Sequence, residues 1–156
     1  MKPLAVVALL GCVAACFGAA PGKGASRHAA TVSTVVRCFR QHHALAQYVP
    51  TGARKAGLTT GKWINFHFEG IPAAAIDGGV VIVEPSKLSA QREAKRLFQV
   101  YYAYDLAHSV NATPAAIRDT LHKLIQVSGT GIEFWGSTIV SSPARRIVAS
   151  CLTATA

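Results

Sequence analysis

Acidic side chains are scarce in this chain: seven Asp and Glu stand against sixteen Lys and Arg in 156 residues, a formal charge of +9. No two carboxylates fall at a spacing suited to paired acid–base work. A nucleophile beside a base, a Gly-rich phosphate loop and a CxxC or HxxxH metal set are also missing, so no catalytic apparatus, cofactor or metal is expected. Long basic blocks are absent too. The cations come scattered as RCFR, ARK, REAKR and ARR, without aromatics interleaved along a basic groove, which argues against nucleic acid. They read as a solvated basic surface, with anionic headgroups or an acidic cell-envelope polymer as the partners that such a charge favours. What the chain has in quantity is apolar: 51% hydrophobic residues and only 15% charged, enough to build one core in one domain of ordinary size.

Hydrophobic runs long enough for a membrane span are lacking, but a shorter one opens the chain. Met1 and Lys2 precede PLAVVALLGCVAA, 13 residues ending in small side chains, as an export signal requires. Counted on to Ala20 the run reaches 18 mostly apolar residues, so an uncleaved anchor stays open as an alternative. Cleavage after Ala20 is a poor option, because Pro21 would sit just past the cut.

Val13-Ala14-Ala15-Cys16 resembles the bacterial lipoprotein signal, and Leu9-Leu10-Gly11-Cys12 is a poorer match of the same kind. The resemblance covers only the first 16 residues and implies that residues 1–15 are removed and that Cys16 is lipidated. An extracytoplasmic domain, anchored to a membrane in the bacterial cell envelope, follows from that. Several acyl chains hold a protein where one alone is marginal. Residues 16–30, rich in Gly, Ala, Ser and Pro, then read as a lipid-anchored tether, and 31–156 as a single domain. With Cys12 discarded and Cys16 acylated, Cys38 and Cys151 are left to form one disulfide between the first and last elements. The layout of one cysteine near each end is similar to that of many small exported lipoproteins, a likeness that carries no activity.

Within the domain, apolar spacing predicts a first helix over 31–47 and a strand over 63–68, where Ile64, Phe66 and Phe68 alternate with Trp63, Asn65 and His67. Turns follow at 70–72 and 77–79, then a buried strand over 80–83. A second helix is expected over 87–109. Thr113-Pro114 opens a third, whose stripe is Ile117, Leu121, Leu124 and Ile125, and GTG at 129–131 stops it. Gly136-Ser137 suits a hairpin between 132–135 and 138–140, and a last helix over 144–152 carries Cys151 back to the start. The order is then α β β α α β β α, an α+β fold with a small antiparallel sheet and helices packed mainly on one face.

That arrangement leaves Trp63, Asn65, His67, Glu133 and Trp135 on the open face as candidate binding residues for a sugar, peptide or protein. The alternative is that helices cover this face and both tryptophans are core. A second class of function, a small hydrolase or metal-dependent enzyme, would rest on His67 and Glu69 as acid and base. Cys38, His42 and His43 could add a metal cluster, since residues four apart share a helix face. A non-catalytic binding or structural role in the envelope is the expected function.

Overall fold

The computed structural model describes residues 30–69 and 78–153. The expected signal and tether with Cys16, and the turn at 70–72, lie outside these residues. Helix α1 (Val32–Gln41) starts where Thr31 and Thr34 cap each other: the Thr34 amide donates to Thr31 Oγ1, and the Thr31 amide to Thr34 Oγ1. The helix ends six residues before the expected limit. His43 adopts a left-handed backbone at φ 56° and turns the chain into strand β1 (Ala44–Val49).

A single turn of helix, α2 (Gly52–Lys55), leads through a loop to β2 (Lys62–Phe68), and β3 (Gly78–Val83) runs back beside it. Ser86 caps α3 (Lys87–His108) by accepting from the Ser89 amide. Thr113 caps α4 (Pro114–Leu124), with proline at the first helical position as expected. Ile125 does not continue that helix; it begins β4 (Ile125–Ser128), which pairs with β5 (Gly131–Trp135). The chain closes on α5 (Ser142–Thr153).

The expected α+β class and antiparallel sheet are what the chain adopts, with five strands in the order β1-β2-β3-β5-β4. The hairpin is not the expected one. It turns at Gly129-Thr130, where Gly129 has φ +58°, the left-handed region that a glycine enters without strain. GTG is thus a hairpin turn, and residues 138–140 are not a strand.

The helices lie on both faces of the sheet. On face one, α1 and α5 cover Ile64, Phe66, Phe68, Val81, Val83 and Trp135. Phe39 of α1 and Phe66 pack with their rings tilted at 33° and centroids 5.1 Å apart, and Phe66 meets Trp135 edge-on at 5.2 Å. On face two, α2 and α3 pack through Ala53, Ala90, Ala94 and Leu97 onto Ile82, Ile132 and Phe134. α4 lies against α3, with Phe98 and His122 4.6 Å apart. The parity of β2 makes this division inevitable: Ile64, Phe66 and Phe68 serve one core, while Trp63 packs into the other.

The expected disulfide joins Cys38 on α1 to Cys151 on α5, with Cα atoms 5.6 Å apart and a sequence separation of 113. Both helices lie over face one, so the link clamps the two ends of the domain within one layer. Among the described residues no helix is long and apolar enough to cross a membrane.

Candidate functional site

The five candidate binding residues do not form one platform. β3, not a strand at 138–140, is the second neighbour of β5, and its register pairs Val81 with Glu133 and Gly79 with Trp135. Val81 also pairs with Ile64, so Glu133 and Trp135 share face one with the phenylalanines. Both are core residues, 2% and 1% exposed. Trp135 Nε1 donates to Glu133 Oε2 at 3.1 Å, and Ser128 Oγ donates to the other carboxylate oxygen. The Arg145 guanidinium stands 5.3 Å from the Trp135 ring. Glu133 thus fastens the β4–β5 hairpin from inside the fold.

Trp63, Asn65 and His67 do lie together on face two. Trp63 is half-buried, and its indole N–H donates to Asn65 Oδ1 at 2.7 Å. Asn65 and His67 are exposed, and neither belongs to the cluster that α2 and α3 bury on that face. With Leu45 and Gln47 of β1 they line a shallow recess. No hydrogen bond joins His67 to Glu69. The acid–base pair of the alternative reading is thus two exposed side chains with no hydrogen bond between them.

The metal cluster weighed as an alternative at Cys38, His42 and His43 has a different third member. Cys38 Sγ, Cys151 Sγ and a ring nitrogen of His42 lie within 4.8 Å of one another, while His43 falls outside the group. Both sulfurs are engaged in the disulfide.

A larger concavity is one that spacing alone did not single out. α1 covers only part of face one, and between its first two turns and the strands runs an open cleft of about 790 Å³. Val32 and Val36 of α1 form one wall; Ala46 and Tyr48 of β1 and Val83 of β3 form the floor. Lys62 and Arg40, both exposed, supply positive charge along it. An apolar trough bordered by cations suits an amphiphile that is apolar along its length and carries negative charge. The missed signal was the alternation of Ala44, Ala46 and Tyr48, which reads as a strand once the helix ends at Gln41.

Two buried carboxylates flank this region without belonging to any expected site. Glu84, 1% exposed, accepts from Thr60 Oγ1 and Ser89 Oγ through Oε2, both at 2.7 Å. Its Oε1 has no hydrogen-bond partner. A Cβ on Gly61 would stand 2.2 Å from that oxygen, and Gly61 has φ +94°, so only glycine fits there. Glu93 accepts from the Thr59 amide at 3.2 Å and the Thr59 hydroxyl at 2.8 Å. Together they hold the loop between α2 and β2 against α3, and that loop delivers Gly61 and Lys62 to the cleft. Compared with known proteins, the chain matches no family model, no curated protein and no solved structure.

Proposed function

We propose that the protein is an exported domain held at a membrane by lipid on Cys16, and that it acts by binding an anionic amphiphile in the cleft between α1 and face one. The observation that carries the reading is positional: Ala30, Thr31, Val32 and Ser33, where the described chain begins, all line the cleft. A tether from Cys16 therefore joins the domain at the cleft mouth. Fourteen positions separate Cys16 from Ala30, so the mouth lies within roughly 50 Å of an acylated Cys16 at full stretch.

Three further features support it. A disulfide between the two ends of the domain suits an oxidising, extracytoplasmic space. The net charge of +9 favours an anionic surface. Lys62 and Arg40 offer counter-charges to a headgroup, while Val32, Val36 and Tyr48 offer apolar contact to its chain.

Two measurements test the reading. Intact mass of protein extracted from membranes should give an acylated chain beginning at Cys16, and an unmodified N-terminal signal on the purified protein sinks the anchor. A fluorescent long-chain carboxylate should bind saturably at one site per chain. Lys62→Ala should weaken it about tenfold, the loss of roughly 1.4 kcal/mol of contact, and Ala46→Trp should block it by filling the floor. Binding that does not saturate, or that ignores both substitutions, removes the cleft from the proposal.

A further inference from the structure

We infer that Cys38, Cys151 and His42 form a redox-gated site for one thiophilic metal ion, occupied when the disulfide between the two cysteines is opened. The inference stands on the geometry of these three side chains and is independent of the cleft and of the lipid anchor.

Cys38 lies in the body of α1 and His42 four positions on, at its C-cap, so both side chains leave the same flank of the helix. α5 brings Cys151 to that flank, its Cα 5.6 Å from that of Cys38. The two sulfurs and a ring nitrogen of His42 are already within 4.8 Å of one another. Tetrahedral zinc, with bonds of about 2.3 Å to sulfur and about 2.0 to 2.1 Å to nitrogen, needs donor atoms roughly 3.4 to 3.8 Å apart. Reaching that spacing calls for side-chain adjustment within a set the backbone has already gathered.

Access and availability agree with this. The His42 side chain is exposed and makes no hydrogen bond to a described residue. Cys38 is half-buried and Cys151 buried, so an ion arriving from solvent meets His42 and Cys38 first and Cys151 behind them. Two thiolates and an imidazole select zinc or cuprous ion over magnesium or calcium. Three protein ligands leave a fourth position for water.

The sulfurs that would bind the ion are those that form the cross-link, so the two states exclude each other. A dithiol reductant passes two electrons to the disulfide; the S–S bond breaks, two thiols form and the reductant closes its own disulfide. Binding of a divalent ion then releases two protons to solvent, one from each thiol. A disulfide oxidant reverses the exchange: it takes two electrons from the two thiolates and, with two protons from solvent, becomes a dithiol, while the S–S bond re-forms and the ion leaves.

The experiment uses the full chain carrying Cys12→Ala and Cys16→Ala, which leaves Cys38 and Cys151 as its cysteines, reduced with a phosphine under nitrogen, freed of reductant and titrated with cobalt(II), then with zinc. One equivalent of cobalt should give thiolate-to-metal absorption that zinc bleaches, and the oxidised chain should give none. His42→Ala should weaken cobalt binding at least tenfold, against less than twofold for His43→Ala. If the reduced chain keeps its far-ultraviolet circular dichroism and binds no cobalt, or if His42→Ala binds like the parent, the inference fails. If reduction unfolds the chain, zinc should restore the helical signal and give a cooperative melt. Failure of zinc to restore it overturns the site equally.

Discussion

The two faces of the sheet are held by different chemistry. On face one, α1 and α5 enclose a cluster of Phe39, Phe66, Phe68 and Trp135, and a covalent bond joins the helices themselves. On face two no covalent cross-link joins the described elements. Small side chains of α2 and α3 meet the sheet, and the adjoining loop is tied through Thr59 to Glu93 and through Thr60 to Glu84, which Ser89 of α3 also holds. Both devices hold a segment in place, but they act on different states of the chain. A cross-link with a sequence separation of 113 stabilises chiefly by limiting the unfolded ensemble, so its effect belongs to the whole domain. A buried carboxylate has no such reach. It costs free energy wherever its partners are missing, and its effect is confined to the loop it holds.

The largest expected effect comes from removing the covalent half of this pair. Replacing Cys38 and Cys151 by alanine should lower the free energy of unfolding by about 4.7 kcal/mol, the loop-entropy value for roughly 100 bridged residues, read from urea denaturation. Hydrogen exchange sharpens the comparison: the slowest amides of α3, on face two, should lose as much protection as those of α1. Loss confined to α1 and α5 would show that the clamp acts locally and break the distinction.

The intermediate effect tests the polar half. Glu93→Ala leaves the Thr59 amide and hydroxyl without their acceptor and should cost about 2 kcal/mol. Glu93→Gln keeps one acceptor oxygen but turns an N–H towards the Thr59 amide, and should cost roughly half as much. Fast exchange should appear first at residues 58–62, with α5 unaffected. A loss spread evenly over both layers would mean that the carboxylate, like the disulfide, governs the whole domain.

The fold was legible wherever one signal spoke alone. Thr113-Pro114 marked the start of α4 to the residue, the β-branched run from Val80 lies within β3, and Cys38 and Cys151, the pair expected for the domain, are joined. It was illegible where two periodicities overlapped. Ala46 falls seven positions after Phe39, a helical interval, yet it also alternates with Ala44 and Tyr48; the left-handed turn at His43 decides for the strand. Ile125 likewise extends the stripe of Ile117, Leu121 and Leu124, but it pairs with Phe134. The candidate site failed for a related reason. Alternation fixes that Glu133 and Trp135 point the same way, but which way depends on a neighbour 50 or more residues distant in sequence, Val81 and Gly79 of β3. The cleft was hidden because it exists only where α1 ends its coverage of face one, a fact about tertiary placement that no local pattern records.

The smallest expected effect concerns Tyr101, at the outer margin of the face-two layer, where its ring lies 4.6 Å from Phe134. Burial, and after it the nearby charge of Asp105, raises the Tyr101 hydroxyl above its usual value of 10.0. The folded state therefore holds the phenolic proton to higher pH than the unfolded state does. This contribution is complete below pH 10 and is lost as pH rises from there through the folded value, so stability should fall over that alkaline window. Tyr101→Phe keeps the ring contact and removes the titration, and should flatten that part of the profile while leaving stability at neutral pH nearly unchanged. Thermal unfolding followed above pH 9 for both chains checks it. Alkaline slopes that coincide would mean that Tyr101 ionises as freely in the fold as in the open chain, and that the face-two layer is looser at its margin than its aromatic contact implies.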